Sequence, residues 1–209
     1  MTESLTVHFT PESSPDTSRP DPHQDTFSKT YLGFWVYLMT DCILFATLFV
    51  TYALLQSHTF GGVTSQEIFS LSTAYIETMI LLLSSVSCGM AVISAAKNRK
   101  NHVLLWLGVT FALGASFLTL ELTEFNGLIQ EGNSWRVSAF LSSFFALVGT
   151  HGLHITSGLI WAVVLFVQVY LKGLTVDTFR RLVIFSLFWH FLDLIWIFIF
   201  SLVYLIGVI

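Results

Sequence analysis

The run LVIFSLFWHFLDLIWIFIFSLVYLI, from Leu182 to Ile206, decides how the chain is read. It is almost unbroken Leu, Ile, Val and Phe, interrupted by the ionisable side chains of His190 and Asp193. Such a run reaches the ~20 residues that a helix needs to cross ~30 Å of hydrocarbon, and it lacks the strict alternation of a barrel strand. Four more runs of this kind precede it: Tyr31 to Gln56, Ala74 to Ala96, Val103 to Leu122 and Val137 to Tyr170. The fourth is longer than a crossing requires, so its first turns, around Trp135 to Ser143, are expected to project beyond the hydrocarbon or to tilt within it. The expected fold class is all-α: a polytopic membrane protein built as a five-transmembrane-helix bundle.

Composition agrees. Of 209 residues, 54% are apolar and 11% charged, whereas about a quarter are charged in a water-soluble domain; the mean hydropathy is +0.74. Nine Lys and Arg against thirteen Asp and Glu give a formal charge of −4, which leaves no basic excess for phosphates and excludes nucleic acid as a partner. Cys42 and Cys88 lie in apolar runs and read as small core residues, not as a disulfide framework or a thiolate metal site. No glycine-rich phosphate loop, nucleophile elbow or Cys-x-x-Cys occurs. All four prolines (Pro11, Pro15, Pro20, Pro22) stand near the N-terminus among Ser, Thr, Asp and Glu. Residues 1–28 are therefore expected to form a disordered, uncleaved cytoplasmic tail, and 29–209 the five-helix transmembrane domain.

The basic residues orient the bundle. Arg19, Lys29, Lys97, Arg99, Lys100, Lys172, Arg180 and Arg181 fall on one side, and Arg136 alone on the other. The positive-inside rule then predicts a cytoplasmic N-terminus and an outer C-terminus.

Ionisable side chains cost roughly 2.5–3.5 kcal/mol each at the centre of a span, so they are expected to face the bundle interior, a cavity or a partner. Asp41 on the first helix, His151 and His154 on the fourth, and His190 and Asp193 on the fifth all fall near mid-membrane at 1.5 Å per residue. The spacing of three within His151/His154 and His190/Asp193 puts each pair on one helical face, which predicts a buried Asp/His network across helices one, four and five. Glu77, Glu121 and Glu124 lie on the order of 10 Å or more further out, too far for one shared metal centre. They read first as interface carboxylates, paired with Arg136 or hydrated at the headgroups, and alternatively as a proton-conducting or lipid-headgroup site. The histidines admit a haem reading, with His190 and either His151 or His154 as axial ligands. Neither pair, however, has the Glu-x-x-His form of a di-iron bundle. Small residues recur every fourth position at Ser142, Ala146, Thr150, His154, Gly158 and Ala162, and at Gly108, Ala112 and Ser116, and predict helix–helix contact faces. The hydroxyls of Ser84, Ser85 and Ser87 are expected to bond to the preceding turn or across to a neighbouring helix.

Two stretches carry a family likeness: Gly149-Thr150-His151-Gly152-Leu153-His154 followed by Gly158, and Trp189-His190-Phe191-Leu192-Asp193-Leu194-Ile195-Trp196. With Gly33 to Cys42, Glu77-Thr78-Met79, Ser84-Ser85 and Glu121 to Phe125, the chain resembles subunit III of the haem-copper respiratory oxidases over about residues 27 to 209. The absence of two leading spans, Asp41 where the cytochrome c branch usually carries Glu, and Glu77 in place of its usual Asn are similar to the cytochrome bo-type quinol oxidase branch. The resemblance implies a subunit with no redox centre and no metal or cofactor ligands of its own. It implies direct docking on a subunit I that holds the haems and copper, and subunits II and IV in the same complex. It further implies bound phospholipid and a bacterial inner membrane location, with the C-terminus periplasmic. The complex would oxidise ubiquinol, reduce dioxygen to water and pump protons. A haem b electron-transfer subunit and a small proton-coupled transporter are the readings against which this one is set, the latter weakened by the lack of broken helices or a repeated half.

Overall fold

The computed structural model describes residues 22–56, 71–132 and 136–205. They form five helices: α1 (Pro22–Leu55), α2 (Leu71–Ala96), α3 (Lys100–Gln130), α4 (Ala139–Lys172) and α5 (Val176–Ile199), the last continuing as a wider π-helical turn over Phe200–Leu205. All five contain stretches long and apolar enough to cross a membrane, and no strand occurs among the described residues. α1 begins at Pro22, inside the stretch assigned to the tail; residues 1–21 lie outside the described residues, as does Trp135.

Local chemistry sets the helix ends. Ser138 caps α4 by accepting from the Leu141 N–H at 3.2 Å, and Thr175 caps α5 by accepting from the Thr178 N–H at 3.2 Å. Between these helices Gly173 takes φ +73°, a left-handed value at which a side chain would be strained. The α2–α3 connection turns at Asn98, φ 55°, a residue type that tolerates that region. Turns this short make α2/α3 and α4/α5 antiparallel hairpins.

The two hairpins close into a ring in which α2 meets α3, α3 meets α4, α4 meets α5 and α5 returns to α2. α1 lies outside it, against α4 and α5. Accordingly 56% of the α5 span is buried but only 22% of the α1 span.

At the centre of the ring stands Trp189. A Cβ placed on Gly114 of α3 would come within 2.8 Å of its ring, and one on Gly158 of α4 within 2.9 Å. Its indole N–H donates to Ser84 Oγ of α2 at 2.8 Å. One residue of α5 is thereby fixed against three other helices. Two turns further on, the Trp196 N–H donates to Thr78 Oγ1 at 3.1 Å. Ser87 bonds both to the Ser84 carbonyl and across to Thr110, each at 2.7 Å. The hydroxyls of α2 therefore act as expected, back along their own helix and across to neighbours.

The small-residue faces are only partly contacts. Gly158 and Ala162 are buried, but Ser142, Ala146, Ala112 and Ser116 are exposed, and a Cβ on Gly108 would meet nothing within 4 Å. The contact is made by Gly114 and Gly158 because a flat indole ring, not a second backbone, fills the space between the helices.

Candidate functional site

The buried row of α3 runs Val103, Leu107, Thr110, Gly114, Phe117 and Glu121, the three-and-four spacing of one helical face. This geometry carries Glu121 into the bundle and splits the candidate residues into separate groups.

The first group ties α1 to α4. Asp41 is 5% exposed, and its Oδ1 lies 3.1 Å from His154 Nε2. His154 Nδ1 sits 2.7 Å from the Thr150 carbonyl, and a carbonyl only accepts, so Nδ1 carries a hydrogen and donates it. A neutral ring with its hydrogen on Nδ1 has a bare Nε2, so the bond to Asp41 needs one further proton. The pair is imidazolium–carboxylate or imidazole–carboxylic acid, and in both forms it carries no net charge. Such a pair holds α1 against the ring without stranding a charge in hydrocarbon. Phe45 of α1 covers the imidazole at 5.3 Å between ring centroids.

His151, one turn before His154, is not part of that bond. It is stacked on Trp196 at 5.3 Å, with the Phe117 ring edge-on at 6.0 Å and Phe45 at 6.4 Å. Neither of its ring nitrogens has a hydrogen-bond partner. On α5 the expected pair also divides. Asp193 is buried and faces Ser85 of α2. His190 is exposed and donates from Nδ1 to the Ser186 carbonyl at 2.6 Å. It lines an apolar groove of about 510 Å³ between α5 and α1, beside Trp35, Leu38 and Cys42.

Of the single Asp/His network expected across helices one, four and five, the structure forms one hydrogen-bonded pair, Asp41–His154, while His151, His190 and Asp193 lie outside that bond. The reason is aromatic bulk: Trp196, Phe117 and Phe45 occupy the space through which His151 would reach the others. The same packing leaves the two-imidazole haem arrangement unformed. His151 is enclosed by rings, His154 Nε2 is held by Asp41, and His190 faces the α1–α5 groove. Among the described residues no group of three or more His, Cys, Asp or Glu side chains is placed to hold a metal ion.

The outer carboxylates depart furthest from expectation. Glu77 is 0% and Glu121 2% exposed, and none of their four carboxyl oxygens has a hydrogen-bond partner. Glu124 faces the Tyr204 hydroxyl of the terminal π turn. Arg136 is exposed and makes no ion pair with them among the described residues. Pairing with Arg136 and hydration at the headgroups are both replaced by burial at the closed end of the ring. Tyr204 lies within electrostatic reach of all three glutamates and of Tyr52 on α1. The two tyrosines were not singled out by sequence. The signal that could have found Glu121 is its place on the buried row.

Residues 21–208 match the family described as Cytochrome c oxidase subunit III. The Cytochrome bo(3) ubiquinol oxidase subunit 3 of Pseudomonas aeruginosa is 52% identical over 187 residues, covering 90% of each chain. The Quinol oxidase subunit 3 of Bacillus subtilis is 44% identical over 183 residues, 88% of this chain and 90% of that one. The Cytochrome c oxidase subunit 3 of Bacillus sp. (strain PS3) is 41% identical over 179 residues, 86% of each. Likeness of this extent covers all five helices and every group described above, and the chain belongs to the cytochrome c oxidase subunit III family.

Proposed function

We propose that the chain is the third subunit of a bacterial cytochrome bo-type ubiquinol oxidase, a non-catalytic multi-pass subunit that supports assembly, stability and proton uptake of its partner. That partner, subunit I, carries the haems and copper, and the complex oxidises ubiquinol, reduces dioxygen to water and pumps protons. Subunits II and IV complete it, and phospholipid is bound at this chain's face toward subunit I. The observation that carries this reading is the 52% identity to a bo(3) subunit 3 over 90% of the chain. The site geometry agrees with it: the Asp41–His154 pair is a closed, neutral tie between helices, and His151 is packed as an aromatic plate. The N-terminus lies in the cytoplasm and the C-terminus in the periplasm, a reading supported by the basic residues beside Lys97 and Arg180.

Purification in mild detergent, with identification of every co-eluting chain and an optical spectrum, tests the reading. A haem–copper partner is expected in the complex and no haem absorbance in the chain expressed alone. Asp193→Ala is expected to weaken association or to shorten the lifetime of turnover while leaving the haem spectrum of the complex unchanged. Haem retained by the chain alone would overturn the assignment in favour of electron transfer.

A further inference from the structure

At the end of the bundle away from Lys97, Arg99 and Lys100, the ring encloses acid with nothing basic beside it. Glu77 comes from α2, Glu121 and Glu124 from α3, Tyr204 from the end of α5 and Tyr52 from α1. α4 contributes Phe140 against Tyr52 and Phe144 against Tyr204, and no titratable group. The sequence offers no Lys or Arg at this end other than Arg136, which is exposed. His58 and Glu67 lie outside the described residues. Tyr52 is 2% exposed, and its hydroxyl has no hydrogen-bond partner.

Three carboxylates without a cation cannot all be charged in a space closed to water; mutual repulsion and lost hydration both forbid it. No three of these groups are placed to share a metal ion. Glu124, the least buried of the three, faces the Tyr204 hydroxyl. We infer that this end of the bundle is a proton-binding site in which Glu77 and Glu121, buried and without hydrogen-bond partners, each hold a proton as carboxylic acids.

Infrared difference spectroscopy of the full chain, as purified and in the Glu77→Gln and Glu121→Gln variants, reads the protonation state directly. The expected result is loss, in each variant, of a carbonyl-stretch band of a protonated carboxyl that shifts between H2O and D2O. Loss of carboxylate-stretch bands in either variant overturns the inference and would point to a bound cation. Gln is isosteric, and if one variant fails to fold the other decides alone.

Discussion

Replacing Gly114 by Ala tests whether Trp189 is the piece around which the ring closes. The added Cβ would stand 2.8 Å from both Cη2 and Cζ2 of the indole, about 1 Å inside the ~3.5–4.0 Å at which carbon atoms rest. The ring has nowhere to retreat. On its far side the Cβ position of Gly158 is 2.9 Å from Cζ3, and its N–H is tied to Ser84 at 2.8 Å. Relief requires an off-rotamer indole or a displaced helix, and such overpacking costs about 1–3 kcal/mol. Alanine's better helix preference returns ~0.5–1 kcal/mol, so the net expectation is a loss of roughly 0–2.5 kcal/mol. Gly108 on the same helix is the control. Nothing lies within 4 Å of its Cβ position, so Gly108→Ala is expected to stabilise by up to ~1 kcal/mol. The two variants should differ by about fivefold or more in unfolding constant when the purified chain is titrated from mild detergent into a denaturing one and followed by tryptophan fluorescence. In a Trp189→Phe background, which removes both clashing indole atoms and leaves only Leu159 Cδ2 at 3.1 Å, most of the Gly114→Ala penalty should disappear, giving a coupling of about 1–3 kcal/mol. A cycle with no coupling, or a Gly108→Ala loss within about 0.5 kcal/mol of the Gly114→Ala loss, would refute the reasoning.

Ser84→Ala and Thr78→Val each leave a buried indole N–H without its acceptor; each is expected to cost about 1–3 kcal/mol in the same titration. At the α1–α4 tie, His154→Leu strands the Asp41 carboxyl and should be the most damaging change, at about 3–5 kcal/mol. Asp41→Ala should cost ~1–3 kcal/mol. Asp41→Asn should cost least, because an amide N–H can donate to His154 Nε2. A different order in protease accessibility of α1 would show that the pair does not hold the helix. Lys100 Nζ donates to the Tyr170 carbonyl at 3.0 Å and sits 5.7 Å from the Tyr170 ring centroid at the membrane edge. Lys100→Met should therefore cost no more than about 1 kcal/mol, a value a thermal melt can bound.

The contrast between what could and could not be read in the residues follows from the solvent. Span count and helix class were legible because hydrocarbon demands an unbroken apolar run with every backbone hydrogen bond closed inside it, and that demand is local in sequence. The shortness of the Lys97–Arg99 and Gly173–Thr175 connections emerged only in the structure, where the helices extend beyond the apolar runs. The site was less legible because apolar residues cover both the lipid face and the interior, so composition alone does not say which way a given side chain looks. His190 and Asp193 share a helical face by spacing, yet one lies exposed on the α1–α5 groove and the other is buried against α2. The every-fourth-residue rows at Gly108, Ala112 and Ser116 were read as contacts, but the contact row on α3 is the adjacent one through Leu107, Gly114, Phe117 and Glu121.

That same row explains why the carboxylates were placed in the headgroups. A charge near a helix end is ordinarily within reach of water, and depth along the axis is all that a residue count supplies. Azimuth decides instead: Glu121 continues the line of Gly114 and Phe117, so it must enter the interior that those residues already occupy, whatever its distance from the interface. Once Glu121 is inside, Glu124 and Glu77 converge on the same end, where Tyr204 faces Glu124 and Arg136 does not reach. Asp41 and the glutamates thus meet one electrostatic constraint in different ways. Asp41 is neutralised by a partner imidazole on another helix, whereas Glu77 and Glu121, which have no such partner, are left with protons as the means of remaining in the interior.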